Sequence, residues 1–351
     1  MKKIKDTEFF LKTTIFPHLN GLDSDESLMR RLFQLFKKSG IYRGLFSSES
    51  GGDAFGLSER MEYQELMGRY GGALGFLQSQ MAAPISLIEK SDNDYVKVNF
   101  LPKMLNGDIS VGNSLSQLRR GGSVHLHSKK CNGGYFLSGK VAFASGFGLF
   151  DMILIGAISD DGMEQCMLLP FANDPVGGMI IGQILDTATM RSLSTVSVDF
   201  DQYFVPHHFF IVDAQRYSFY DQAMKRASVF SYPLGTGLAA LDIVKNISKK
   251  SDNTWDDSIE YFVERIRNLR DRVRDPDSNP EQFVLYADVM DIGWKCVQFA
   301  VMVASGSGLI CSHSAQRLYR EMLIWAIARN HPEITKGFIE ISKEARECQN
   351  V

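Results

Sequence analysis

Gly134-Tyr135-Phe136-Leu137-Ser138-Gly139-Lys140, followed two residues on by Phe143-Ala144-Ser145-Gly146, is the stretch on which the reading of the fold turns. Aromatic and aliphatic residues between glycines, with a hydroxyl at the far end, read as a strand running into a tight bend. Similar short runs follow at Met152-Ile153-Leu154-Ile155, Cys166-Met167-Leu168-Leu169 and Val196-Ser197-Val198-Asp199-Phe200. Asn132-Gly133-Gly134 and Asp160-Asp161-Gly162 supply turn chemistry between such runs, so the spacing predicts an antiparallel β domain over 112–213.

Outward from this centre the period changes. Before residue 111 the apolar positions recur at helical spacing, as in Leu28, Leu32, Leu35 and Phe36 and again in Met61, Leu66, Met67 and Tyr70. Asp23-Ser24-Asp25 and Ser58 read as N-caps, and Gly40 and Gly51-Gly52 as stops, giving an N-terminal helical domain over 1–111. After Pro206 the helical period returns, and 217–249, 254–274, 280–308 and 314–348 each read as one long helix. A C-terminal four-helix bundle over 214–351 follows, and with it an α+β fold class.

Composition narrows the functions. The 351 residues carry 38 Lys plus Arg against 41 Asp plus Glu, a formal charge of -3, which leaves no cationic excess for a nucleic-acid partner. Apolar stretches such as Met152 to Ile158 and Phe299 to Ala304 fall far short of the ~20 residues that span a bilayer, so no membrane span is expected. Lys5, Asp6 and Glu8 stand where a secretory signal has its apolar core, so the chain reads as unprocessed and cytoplasmic. Cys131, Cys166, Cys296, Cys311 and Cys348 are scattered without a CxxC pair, His125 and His127 have no third ligand at sensible spacing, and His207-His208 add none; no metal is expected.

The order helical third, β third, four-helix third, with local signatures at its seams, resembles the acyl-CoA dehydrogenase family of flavoproteins along nearly the whole chain. Gly134 to Lys140 with Phe143 to Gly146 is similar to the family's "GgY.lnGkK.wiTn" segment. Ser48-Glu49-Ser50-Gly51-Gly52 resembles its Pro-Glu-x-x-Gly-Gly element, Asn99 to Asp108 its "yLp.l..Ge" run, and Arg191-Ser192-Leu193-Ser194-Thr195 through Pro206 its "R.S.T..v.F....VP" strand. Ser305-Gly306-Ser307-Gly308 with Gln316-Arg317-Leu318-Tyr319-Arg320-Glu321 is similar to "GG.G......eRl.RD".

The resemblance implies FAD as cofactor, held between the β domain and the bundle. Phe143 would pack on the ring where many relatives carry Trp, Ala144 and Ser145 would follow at its edge, with the Ser145 hydroxyl on N5, and Arg191 would stand nearby. Asn113, Leu115 and Ser116 match the flavin-edge segment only loosely. Gly306 and Gly308 would approach the cofactor of a neighbouring subunit, which implies a homodimer or homotetramer. The implied reaction oxidises an acyl thioester, on CoA or a carrier protein, at the α,β bond, with an electron-transfer or flavin-reductase partner.

One departure reopens the chemistry. The Glu that takes the α-proton in most relatives falls on Arg329, and the alternative site, eight residues before Pro233-Leu234-Gly235, on Lys225. A protonated cation takes no proton. Either His331 or Glu333 serves as base from the same loop, or the chain resembles the reduced-flavin monooxygenases of this fold, which remove no α-proton. His331 also reads as a helix-terminal histidine facing solvent, and a scaffold subunit that has lost its chemistry stays open as a third reading.

Overall fold

The computed structural model describes residues 2–119, 123–225, 230–274, 282–328 and 332–347. Helices run to Leu105, strands occupy Val111 to Ala214, and helices resume at Ser218. Contacts divide the chain into two compact units, one of 1–24, 56–75 and 223–351, the other of 25–55 and 76–222, so the N-terminal helical third contributes to both.

The second unit holds one sheet of eight strands: β1 (Val111–Ser114), β2 (Leu126–Cys131), β3 (Gly134–Ala144), β4 (Met152–Ser159), β5 (Glu164–Pro170), β6 (Met179–Ile184), β7 (Val196–Pro206) and β8 (Phe210–Ala214). Their order is β6-β7-β3-β2-β4-β5-β8, with β1 beside β4. The antiparallel expectation holds for β2–β3, β3–β7, β4–β5, β5–β8 and β6–β7. It fails at β4, which pairs parallel with both β1 and β2. A parallel neighbour needs a long crossover, which the chain between β1 and β4 supplies. The first six residues of β4 and of β5 are all buried, which is why they read as unbroken apolar runs.

Around the sheet, helix Glu26–Ser39 starts where the Asp25 carboxylate accepts the Leu28 N–H at 3.0 Å and stops at Gly40. Its buried face is Met29, Leu32, Phe33 and Phe36, whereas Leu35, expected on that face, points to solvent. Asn93 ties two elements with one side chain. Its Oδ1 accepts the Val96 N–H at 3.0 Å and caps helix Asp94–Asn99, while Nδ2 donates to the carbonyls of His208 and Phe210 at 2.8 and 2.6 Å, fixing the bend between β7 and β8.

In the first unit the expected helix 217–249 divides among the described residues, and 314–348 is described as helix on either side of 329–331. The segments are Ser218–Lys225 with Tyr232–Ser248, and Ser314–Ala328 with Pro332–Glu347. Both later segments carry proline in their first turn, at Pro233 and Pro332, where a missing N–H costs nothing. Helix Leu57–Tyr70 begins one residue before the expected Ser58 cap; the Gly56 N–H donates to the Glu59 carboxylate at 3.1 Å instead. This helix and Tyr232–Ser248 meet through small residues. A Cβ at Gly235 would lie 2.0 Å from the Glu65 carbonyl oxygen, and one at Gly68 2.2 Å from that of Tyr232. Trp325 then closes the core, its Nε1 donating to Thr236 Oγ1 at 3.0 Å while its carbonyl accepts the Tyr286 hydroxyl at 3.2 Å.

Two outcomes follow for stability. Gly235→Ala forces apart a pair of helices whose backbones touch, so it costs about 1–3 kcal/mol, read as a lowered urea midpoint with unchanged slope. Lys37 is the second case. Its side chain is 4% exposed, with Nζ 3.9 Å from Asp151 Oδ2 and 5.4 Å from the Phe33 ring centre. Burial lowers its pKa, and Asp151 offsets this only partly. A lysine whose folded pKa is depressed destabilises the fold while charged, and the cost fades as pH rises from that value to the unfolded 10.5. Lys37→Met therefore stabilises the protein by about 1 kcal/mol at pH 7, and by less as pH approaches 10.

Candidate functional site

The end of β3 is bent by its partner. Val141 faces Val198 and Ala144 faces Val196, so β3 spends three steps where β7 spends two. The extra residue is a bulge, and a bulge re-aims side chains. Val141 and Ala144 stay buried while the Phe143 ring is 57% exposed. Ser145 follows, its Oγ 2.9 Å from Thr195 Oγ1 with either hydroxyl able to donate. Gly146 has a φ of +88°, its N–H donates to the Leu193 carbonyl at 2.6 Å, and a Cβ there would strike the Phe150 ring at 2.3 Å. The chain can turn here only with glycine.

Facing this bend is the turn that feeds β7. A single 3-10 turn, Arg191–Leu193, is flanked by Met190 at φ 51° and Ser194 at φ 45°, both left-handed and neither glycine. Each such residue costs about 1–2 kcal/mol. Burial of Met190, Ser192, Leu193 and Ser194 holds the shape, with Gly146 on the Leu193 carbonyl and the Leu185 N–H on that of Thr195 at 2.8 Å. Arg191 is left exposed and Thr195 is left against Ser145. On the outer strand Ile184 lies level with Val196 and Ala144. Ile180 and Ile184 are 48% and 50% exposed, and their partners Asp199 and Val196 put them on opposite faces of this outer strand.

The predicted residues divide accordingly. Phe143, Ala144, Ser145 and Arg191 come together, although Ala144 points into the core. Ser114 joins them through a hydrogen bond from its Oγ to the Phe143 carbonyl at 3.0 Å. Asn113 is buried and spends its amide on the Gln80 carbonyl and Oε1 at 2.7 and 3.2 Å, so that side chain serves the helix behind it. Leu115 is wholly buried, and Ser116 is a half-exposed residue opening the turn Ser116–Arg119. Thr195 is visible in the sequence only as one letter of a motif, and Ile180 and Ile184 not at all. Their strand has isoleucine at both parities, so alternation carries no signal.

The remaining predicted residues belong to the other unit. Gly306 and Gly308 lie in the turn Ser305–Leu309 after helix Gln282–Ala304; a Cβ at Gly306 would meet nothing within 4 Å, and one at Gly308 the Val301 carbonyl at 2.6 Å. Met302, Leu309 and Ile310 around them are 78%, 75% and 57% exposed. Arg320 fastens this loop, donating to the Cys311 carbonyl at 3.2 Å and to Asp23 Oδ2 at 2.5 Å. The Glu333 carboxylate sits 2.6 Å from Lys336 Nζ. His331 and Arg329 lie outside the described residues, and Lys225 ends its helix. Among the described residues no group of three or more His, Cys, Asp or Glu could hold a metal, and no helix is long and apolar enough to cross a membrane.

Chemically, the β3 bend offers an exposed aromatic face, a hydroxyl pair able to donate or accept, and a cation one turn away. That set fits a flat ring with a polar edge and an anionic tail.

No model of a known protein family matches the chain, and no curated protein matches its sequence. Solved structures do. Butyryl-CoA dehydrogenase from Megasphaera elsdenii is 18% identical, with 97% of each chain covered and a TM-score of 0.79. The FAD complex of PigA is 14% identical, with 98% of this chain and 97% of that one covered and a TM-score of 0.78. The prolyl acyl carrier protein oxidase AnaB is 13% identical, with 98% of each covered and a TM-score of 0.77. At such identities the likeness is one of backbone, and it extends over the helices, the sheet and the bundle alike: this chain has the acyl-CoA dehydrogenase fold.

Proposed function

We propose that this chain is an FAD-dependent oxidoreductase that oxidises an acyl thioester, on CoA or a carrier protein, at its α,β bond. The observation that carries the proposal is the exposed Phe143 ring beside the Ser145–Thr195 hydroxyl pair. An open phenyl at a strand end is costly in water and is relieved when a flat ligand covers it. Solved structures of this fold include an FAD complex, a butyryl-CoA dehydrogenase and a carrier-protein oxidase, which supports the ligand and substrate class.

On this reading FAD, when bound, supplies the hydride acceptor. Phe143 carries the ring, Ser145 meets its polar edge, Arg191 is free to meet phosphate, and the backbone of Asn113, Leu115 and Ser116 lines the same side. Gly306 and Gly308, with no side chain to block approach, serve a cofactor held by a second copy, which makes the protein a homodimer or homotetramer. Two bonds break at the substrate: the α-proton goes to a base of this chain, and the β-hydrogen leaves as hydride. His331 is that base, with Glu333 next, since Glu333 must first leave Lys336.

A second reading has its own observation. Cations at both customary base positions, Arg329 and Lys225, favour a reduced-flavin monooxygenase, which needs no α-carboxylate.

Anaerobic mixing separates them. The proposed enzyme, purified yellow, is bleached by an acyl thioester without oxygen; if no thioester of any length bleaches it, the dehydrogenase reading is wrong and the result favours the oxygenase. His331→Ala lowers turnover by at least about 10²-fold with FAD retained. Near-full activity of that variant removes His331 and makes Glu333 the next residue to replace.

A further inference from the structure

The turn from Met190 to Ser194 keeps two non-glycine residues in left-handed backbone and buries four of its five side chains. Strain of this kind persists where the surroundings fix it and collects at functional sites. What the turn achieves is specific: it sets Arg191 facing out and brings Thr195 Oγ1 to 2.9 Å from Ser145 Oγ. The β-branched Thr195, directly before β7, is restricted at χ1, so the backbone limits where its Oγ1 can stand.

We infer that Thr195 is a positioning residue that sets the direction of the Ser145 hydroxyl proton, acting on the bound ring only through Ser145. This rests on the flavin reading above. Each hydroxyl has one proton to give. With Thr195 donating, the Ser145 proton is released towards an acceptor on the ligand. With Thr195 accepting, Ser145 turns a lone pair outward to a donor. The pair can therefore serve a ring nitrogen that accepts in the oxidised state and carries hydrogen in the reduced one, by reversing a single hydrogen bond and moving no heavy atom. Ser145 alone, against a valine, has nothing to hold it in either sense.

A double-mutant cycle on the full-length chain, read by fluorescence quenching of oxidised FAD, tests this. Thr195→Val should weaken FAD binding about 5- to 10-fold, the worth of one oriented hydrogen bond. Thr195→Ser, which keeps the hydroxyl, should stay within about twofold of the parent. In a Ser145→Ala background, Thr195→Val should change binding by less than about twofold, because its only route to the ligand is gone. Melting of the apoproteins gives the structural contribution separately. If the two substitutions multiply fully, or if Thr195→Ser is as damaging as Thr195→Val, the inference is wrong while the flavin reading survives. A parent chain that takes up no FAD overturns that reading, and this inference with it.

Discussion

The sheet depends on the pairing of β3 with β7. Both strands are eleven residues long, they pair antiparallel between a Gly134–Pro206 end and an Ala144–Val196 end, and the neighbours β2 and β6 hang on their outer sides. The pairing slips twice, between Leu137 and Gly139 and between Val141 and Ala144. Each slip bends the ribbon, and the second lies directly before the residues that carry the proposed chemistry. A perfectly regular ladder would alternate Phe143 with its neighbours and leave it no freedom to open. The irregularity is what turns the end of a core strand outward and leaves Phe143 exposed.

Sequence alone goes far with the sheet and less far with the helices. Glycine and asparagine turns at Asn132-Gly133 and Asp160-Asp161-Gly162 are chemical requirements of a reversing backbone, so they can be read directly, and both join strands where expected. Helix ends are decided by competition. Ser58 is a good cap in isolation, yet Gly56 wins because the Glu59 carboxylate reaches back to its N–H. Pro233 and Pro332 sit inside apolar patterns that look continuous, and both fall in the first turn of a helix. The parallel contacts of β4 have no local signature, since pairing partners distant in sequence are chosen by the whole sheet.

The site follows the same division. The bend that brings Phe143, Ser145 and Arg191 together is legible because bends and strand ends advertise themselves through glycine and hydroxyl residues. Asn113 shows the opposite: a side chain with the right chemistry, next to the right strand, is consumed by Gln80. Spacing cannot reveal a hydrogen bond already spent on the scaffold. Buried pairs elsewhere are spent in the same way, as where Arg317 holds Glu321, whose pKa burial drives upward despite that arginine. That carboxylate is fixed by the architecture and has no role in the proposed proton transfer.

Strand β6 ends the sheet on one side, and its sequence, Met179-Ile180-Ile181-Gly182-Gln183-Ile184, bears no charge. Most sheets guard such a border with lysine, proline or brevity. Here the guard is a register slip between Ile181 and Ile184 and a glycine over which Ser197 leans, neither of which repels a second strand. With Ile180 and Ile184 half open, this border is adhesive by composition. The end of the sheet is thereby open to a further strand, and a single charge placed on β6 would close it to one.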